Sequence, residues 1–371
     1  MKICFITNSL DETTGGGWAR YSLDLIRAVK NSRVEVVVLT SSSYKPTSAW
    51  EGCTYNIFPE YNSIIKNIFW ALKNRKKINL LLNDCDLIHC LIEPYAPLVY
   101  FLFSRKPFYL TLHGTFAIRL LNLTKTKLLF KIVLRKAKKN ICVSRYTLAQ
   151  INKKINLNNV VVINNGVKFD QFYQVNKKSN YDGGINILSV GMLKYRKGYH
   201  LALGAIAELA KKCENLTYTI IGSQNDTHYF GQLKDLVREY HLEKIVKFFT
   251  NVKQGELINY YHNSDIFLLT PISDKGDFEG FGLVYLEAGA CGLPVVGTKG
   301  SGAEDAIINN QTGFLVEPKS EDITQALLRL CEDIDLRKRL GQAGLEHTRE
   351  TDWERISKEY LKIYGFYKKN G

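Results

Sequence analysis

Apolar positions in this chain fall into short unbroken runs, each followed by a polar or glycine-rich stretch and then by a helical spacing. The first such series predicts a strand over Lys2 to Thr7, a loop over Asn8 to Gly17, a helix from Trp18 to Asn31 and a strand over Val34 to Thr40, which is a βαβ unit. Further strands are predicted at Asp86 to Ile92, Phe108 to Leu112, Asn140 to Val143 and Val160 to Ile163. Runs that are continuous, not alternating, predict parallel sheets covered on both faces. The stretch Asn176 to Gly184 is polar, lacks periodicity and ends in two glycines, so it predicts a linker. A second series follows, with strands at Ile185 to Val190, Thr217 to Ile221, Ile245 to Phe249, Ile266 to Leu269 and Pro294 to Gly297. Helices are predicted between them at Tyr199 to Cys213, Gly231 to Tyr240 and Phe281 to Cys291. The fold class is therefore α/β, two doubly wound Rossmann-like domains over 1–175 and 185–352, with a cleft expected between the carboxyl ends of their strands.

Composition agrees with two domains: 371 residues exceed what one core serves, and 45% apolar with 23% charged residues is ordinary for a soluble chain. The chain opens on Met1-Lys2 and enters its first strand at once, with no signal-peptide pattern, and its longest apolar run, Pro97 to Phe103, is too short to span a bilayer. A cytoplasmic protein is expected. Eight cysteines are scattered without zinc-site spacing; Cys85 and Cys90 flank His89, a set that reads as core filling, and no metal is expected. The net charge of +14 is concentrated. Between Glu93 and Asp170 there is no acid, while fourteen cations from Arg105 to Lys168 occupy that segment, which implies an anionic partner surface.

The most informative segment is Glu279-Gly-Phe-Gly-Leu-Val-Tyr-Leu-Glu287. Gly280 and Gly282 let backbone approach a ligand, and the amides of Phe281, Gly282 and Leu283 would open a helix and favour a phosphate. Glu287 falls among apolar helical neighbours and needs a partner. By itself the segment could equally be a buried glutamate paired to a lysine behind a glycine-rich turn. A second segment, Gly191-Met-Leu-Lys-Tyr-Arg-Lys-Gly198, directly follows the first strand of the second domain. A basic loop alone is usually a solvated surface. In the first domain, Gly15-Gly16-Gly17 precedes a helix, and Thr111-Leu-His113-Gly114 ends a strand. A triple glycine is also a simple turn, and a lone histidine after a strand is more often structural.

Taken together these segments resemble glycosyltransferase family 4, whose donor motif is two glutamates separated by seven residues. The resemblance implies the GT-B fold and a retaining, metal-independent transfer from a nucleoside-diphosphate sugar, with no cofactor besides that substrate. It implies that Glu287 accepts from the ribose hydroxyls, that Glu279 lies near the donor sugar, and that His113 contacts the transferring sugar. Phe281, Gly282 and Leu283 would meet donor phosphate, and Gly16 and Gly17 could bring amides against the donor's distal phosphate or the acceptor. Lys197 matches the family's phosphate-binding lysine; Met192 stands where many members carry arginine, and that role passes to Arg196. Val162-Ile-Asn-Asn-Gly-Val167, with Lys168 in place of a common aspartate, Gly313-Phe-Leu-Val and Ser301-Gly302 to Asp305 extend the resemblance. Thr351-Asp-Trp353 opens a final helix, 353–371, that in such folds crosses back to the first domain. Thr250, Asn251 and Val252 lie where the family often contacts the base.

With no nucleophilic acid evident in the first domain, a front-face reaction is expected: the departing diphosphate is stabilised by cations while one of its oxygens takes the acceptor proton. The acceptor would be a glycan or lipid-linked glycan, in bacterial surface-polysaccharide synthesis. The stretch Arg119 to Lys139 reads as a basic amphipathic helix able to rest on anionic lipid, helped by Ile64 to Lys77 with Phe69 and Trp70. A core-packed helix with a solvated basic face fits equally. A sugar-nucleotide epimerase and a catalytically silent sugar-binding subunit are the competing functions. Nucleic-acid binding is disfavoured because few aromatics interleave the cations.

Overall fold

The computed structural model describes residues 1–11, 16–45, 50–59, 64–103, 106–173 and 184–368, without the side chains of 64–68, 71 and 101–103. Gly15 and the predicted linker, Gly184 excepted, lie outside the described residues. The chain divides into two compact units: unit 1 comprises Met1–Asn165 and Trp353–Gly371, unit 2 Gly166–Asp352.

Unit 1 runs β1 (Lys2–Ile6), α1 (Gly16–Asn31), β2 (Glu35–Ser41), β3 (Thr54–Phe58), α2 (Ile64–Leu82), β4 (Leu87–Cys90), α3 (Ala96–Phe103), β5 (Phe108–Leu112), α4 (Thr115–Asn122), α5 (Thr124–Lys136), β6 (Lys139–Cys142), α6 (Arg145–Asn152) and β7 (Val160–Val162). The seven strands form one parallel sheet in the order β3-β2-β1-β4-β5-β6-β7. The winding reverses between β1 and β4. The central strands are apolar and buried on both faces, Ile3 to Ile6 completely so, as the unbroken runs require, while β7 at one edge is half-buried. The unpredicted strand is β3, whose Thr-Tyr-Asn-Ile-Phe lies at the sheet edge with Tyr55 and Asn56 exposed.

Unit 2 runs α7 (Phe169–Phe172), β8 (Ile185–Val190), α8 (Tyr199–Ala210), β9 (Leu216–Ile221), α9 (Thr227–Glu239), β10 (Val246–Phe249), α10 (Gln254–His262), β11 (Ile266–Leu268), α11 (Leu283–Ala290), β12 (Val295–Thr298), α12 (Ala303–Ala306), β13 (Gly313–Val316), α13 (Ser320–Glu332) and α14 (Ile334–Glu350). Its six strands are parallel in the order β10-β9-β8-β11-β12-β13, reversing between β8 and β11. In sheets of this kind ligands bind beyond the carboxyl ends of the strands at the reversal.

The last helix, α15 (Trp353–Tyr364), belongs to unit 1. Its buried positions Trp353, Ile356, Tyr360, Leu361 and Tyr364 follow helical spacing and join the core of Ile3, Phe5, Tyr21 and Leu25. Buried hydrogen bonds add to the apolar contact. Tyr21 Oη meets Tyr360 Oη at 3.0 Å and Thr111 Oγ1 at 2.8 Å, and His89 bridges Thr111 Oγ1 (2.9 Å) to Tyr364 Oη (2.5 Å). His89 is thus a core hydrogen-bonding group, and burial takes its pKa down to about 3. All eight cysteines are free.

One expectation is corrected. Arg119 to Lys139 is not a single helix: Leu123 adopts an extended backbone (φ −74°, ψ 122°) between α4 and α5, and Lys139 already belongs to β6, paired with Tyr109 of β5. The fully buried Asn140-Ile-Cys strand sequence, with the Asn140 side-chain amide bonded to the Leu134 carbonyl, captures the end of the basic run into the sheet. On α5, Phe130, Val133 and Leu134 face the core, while Leu128 (72% exposed) and Ile132, one turn apart, face outward beside Lys125 and Arg135. On α2, Phe69 and Leu80 are each 71% exposed, but Trp70 turns inward against Phe58, with ring centroids 5.9 Å apart.

Candidate active site

At the reversal point of unit 2, two backbone segments are zipped together. The loop leaving β8 makes one 3-10 turn at Tyr195–Lys197 and ends at Gly198, in the left-handed region with φ +69°. A Cβ on Gly198 would lie 1.7 Å from the Thr270 carbonyl oxygen, so only glycine allows this approach. The segment leaving β11 then binds the loop through Thr270 Oγ1 to the Gly198 carbonyl (2.8 Å) and the Ile272 amide to the Arg196 carbonyl (2.9 Å). Farther along, the Gly302 amide donates to the Glu279 carbonyl at 2.8 Å.

These restraints bring Arg196, Lys197 and Glu279 together. Arg196 Nη1 and Lys197 Nζ each stand 2.7 Å from the same oxygen, Glu279 Oε2. Burial alone would raise the glutamate's pKa, but Lys197 and then Arg196 outweigh it and hold the carboxylate at about 2. Burial depresses the Lys197 pKa, against the opposing pull of Glu279. The three side chains carry two positive charges and one negative, all largely shielded from water.

Helix α11 begins at Leu283, two residues later than predicted, because Gly282 takes φ +89° and caps the helix with no side-chain oxygen. A Cβ on Gly282 would meet the Tyr285 ring at 2.7 Å. Phe281 is buried, and Leu283 is half-buried at the helix start. Glu287, one helix turn beyond Val284, receives a 2.8 Å hydrogen bond from Tyr261 Oη of α10, the partner its burial demanded. Thr250, Asn251 and Val252 line a shallow cavity of about 480 Å³ with Glu256, Asn259 and Tyr260.

In unit 1, His113 follows β5 directly. Its Nε2 lies 2.8 Å from the Leu91 carbonyl, which can only accept, so Nε2 carries the proton and Nδ1 is left as the acceptor. Burial lowers the His113 pKa to about 4, so the half-buried ring is neutral at physiological pH. It acts through hydrogen bonding, without a formal charge. Tyr21 packs edge-on against it at 4.7 Å, and Trp18, just beyond Gly16 and Gly17, at 6.2 Å. Those two glycines open α1 and are exposed, and a Cβ added to either would have no heavy atom within 4 Å; Gly16 takes φ +64°, a backbone that favours glycine, while nothing in packing or backbone requires glycine at Gly17. Two groups escaped the sequence: Tyr261, whose tie to Glu287 crosses 26 residues, and Glu93. Glu93 is buried behind β4, and its Oε1 accepts from the amides of His113 (2.6 Å) and Gly114 (3.2 Å). Its only sequence signal is a carboxylate directly after an apolar strand run. Among the described residues no group of three or more His, Cys, Asp or Glu could hold a metal ion, and no helix is long and apolar enough to cross a membrane.

Comparison with known proteins divides within a few residues of the boundary between the two units. Residues 15–171 match the family model described as Glycosyltransferase Family 4, and residues 170–347 the one described as Glycosyl transferases group 1. An uncharacterized glycosyltransferase of Methanocaldococcus jannaschii is 27% identical over 365 residues, 94% of each chain. The sucrose-phosphate synthase of Thermosynechococcus elongatus superposes with a TM-score of 0.82 at 20% identity, covering 100% of both chains. Anabaena HepE in complex with UDP and glucose superposes with a TM-score of 0.78 at 18% identity, over 98% of both. The two parallel-sheet units share the GT-B fold of these structures.

Proposed function

We propose, from the premise that this chain belongs to glycosyltransferase family 4, that it moves a hexose from a nucleoside-diphosphate sugar to a glycan or lipid-linked glycan, with retention and without a metal. Glycosyltransferase activity of the GT-B type follows from the family. The finer reading is carried by one observation: two cations converging on one buried carboxylate at the reversal point of unit 2. A leaving diphosphate gains charge as the glycosidic bond breaks, and cations already fixed beside it stabilise that charge more than the ground state. Glu279 keeps Arg196 and Lys197 ordered before donor arrives, so little side-chain entropy remains to be lost on binding.

The remaining assignments follow the chemistry. The diphosphate lies against Arg196, Lys197 and the opening amides of α11 at Phe281, Gly282 and Leu283. Glu287, steadied by Tyr261, accepts from the ribose, and the base occupies the cavity at Thr250 to Val252. His113 offers Nδ1 to a hydroxyl of the transferring sugar, and Gly16 and Gly17 leave room for close approach. The acceptor hydroxyl attacks on the face from which the diphosphate departs; a phosphate oxygen takes its proton, so no protein nucleophile is needed. The nucleotide sugar is substrate, and no cofactor takes part. HepE, whose structure holds UDP and glucose, supports a sugar nucleotide as donor.

Thermal-shift titration with UDP, GDP and ADP sugars tests donor binding, since a ligand of the native state raises the melting temperature. A shift with one base that Lys197→Ala removes is expected; no shift with any of them overturns the reading. Turnover unaffected by EDTA and an axial-to-axial product by NMR are expected for a metal-independent, retaining reaction on an α-linked donor.

A peripheral membrane surface is part of the same proposal. Exposed Phe69, Leu72 and Leu80 on α2 and Leu128 and Ile132 on α5 lie among exposed Lys73, Arg75, Lys76, Lys77, Lys125, Lys127 and Arg135. Apolar side chains outward among cations suit the headgroup region of an anionic leaflet at the inner face of a cell membrane. Flotation with anionic vesicles and its absence with neutral ones is expected; indifference to lipid charge defeats this part.

A further inference from the structure

We propose that Glu93 is the positioning residue of the His113 turn: its carboxylate, planted beyond β4, grips the backbone of the neighbouring strand's end and fixes where the imidazole stands. This rests on the reading of His113 as a group of the transferase site. Gly114 adopts φ 115° and ψ −89° and opens α4 without any side-chain cap. From 20 residues away Glu93 supplies an oxygen bonded to the amides of His113 (2.6 Å) and Gly114 (3.2 Å), the residue before the N-cap of α4 and the N-cap itself. A carboxylate there also suits the positive end of the helix. The two anchors of His113 therefore come from one segment, Leu91 to Glu93: Leu91 through its carbonyl to the ring, Glu93 through its carboxylate to the backbone.

Glu93 makes no ion pair with any described residue, and its Oε2 has no hydrogen-bond partner among them. Burial raises its pKa from 4.5 to about 7, although the amides of Glu93 itself, His113, Gly114 and Ala117 pull the other way. The titratable groups facing it are His113 after β5, Tyr21 of α1, Cys90 of β4 and Cys142 of β6. Burial keeps the phenol and both thiols protonated and the imidazole unprotonated at neutral pH. Glu93 is the member of this group whose charge changes near pH 7, and Oε2, without a hydrogen-bond partner among the described residues, is the atom that takes the proton. Loss of the charge weakens both amide bonds, loosening the turn that carries His113.

Glu93→Ala and Glu93→Gln in the full chain test this. Alanine should lower kcat about 100-fold with the donor KM within about twofold, since the donor diphosphate is held in unit 2. Glutamine, whose amide oxygen accepts the same two bonds, should recover kcat to within about threefold and remove the wild-type inflection of kcat near pH 7. The proposal falls if alanine keeps full kcat and merely melts earlier, if glutamine is as slow as alanine, or if the inflection persists in glutamine. Should alanine not fold, the glutamine pH profile decides alone. Should the wild type turn over no sugar nucleotide, the proposed function fails separately, and the His113 amide resonance becomes the readout. It should shift with a midpoint near pH 7 in wild type and stay still in Glu93→Gln; a resonance indifferent to pH in wild type overturns the proposal.

Discussion

Each unit reverses its sheet at one place, between β1 and β4 in unit 1 and between β8 and β11 in unit 2, and each buries a glutamate among the loops that leave those strands. The two carboxylates have opposite characters. Glu279 meets two cations at 2.7 Å and is held at about pKa 2; Glu93 meets two backbone amides and is lifted to about 7. Burial acts on both in the same direction, so the partners decide the outcome. Ion pairing makes Glu279 a permanent charge that organises two phosphate-seeking cations. Amides alone leave Glu93 a group that titrates near neutrality. One architecture therefore provides a fixed electrostatic site in one unit and an adjustable one in the other.

The strongest way to break this comparison is to remove one cation. Lys197→Ala leaves Glu279 buried with Arg196 alone and takes away a group proposed to stabilise the leaving diphosphate. A loss of about 10³-fold in kcat/KM is expected, about 4 kcal/mol of transition-state stabilisation, together with a lower melting temperature. Steady-state kinetics with the donor identified by thermal shift measures it, and a loss below tenfold would mean that the cluster is structural.

Acid titration sharpens the contrast. Glu279 is more acidic folded (about 2) than unfolded (4.5), so its contribution to stability is present above pH 4.5 and is lost as the pH falls toward 2. Glu93 is less acidic folded (about 7) than unfolded (4.5), so between those values the native state holds the extra proton. Its contribution thus grows as the pH falls from 7 to 4.5. The melting-temperature difference between wild type and Glu93→Gln should move in favour of wild type over pH 7 to 5, whereas that between wild type and Glu279→Gln should shrink below pH 4.5. Parallel trends in the two pairs would end the idea that the carboxylates differ in kind.

What the sequence disclosed follows the same division. Arg196, Lys197, Glu279 and Glu287 were legible as candidates because they fall in two short segments whose residue pattern resembles the family's donor motif, although the contact that joins the segments, Gly198 against Thr270, crosses 72 residues. Glu93 was not, because its meaning depends on amides 20 and 21 residues away that only strand pairing brings near. The strands were legible where apolar runs are buried on both faces, as in Phe108–Leu112 and Ile185–Val190, both found at the predicted bounds. The edge strand β3, half-exposed and interrupted by Asn56, carries no such run. Nor does any glycine or proline mark the break at Leu123, which arises from how α4 and α5 each seat their own apolar face.

Tyr261→Phe examines the support of Glu287. Removing the hydroxyl should cost about 2 kcal/mol of stability, as for a hydrogen bond to a buried carboxylate, and should raise the donor KM severalfold with kcat nearly unchanged. A fall in kcat at constant KM would instead place Glu287 at the reacting bond, not at the ribose.

The smallest effect is the most discriminating for unit 1. Gly17 lies in the first turn of α1 with no heavy atom within 4 Å of an added Cβ, and its backbone is not in the left-handed region. Alanine there should fit and stabilise the fold by up to about 1 kcal/mol through helix propensity. If glycine is present so that a ligand can approach the backbone, Gly17→Ala will melt slightly later and yet bind or turn over substrate several times less well. A variant that gains stability and loses nothing would reduce Gly16 and Gly17 to a turn, and leave His113, with the glutamate behind it, as the chemistry of that unit.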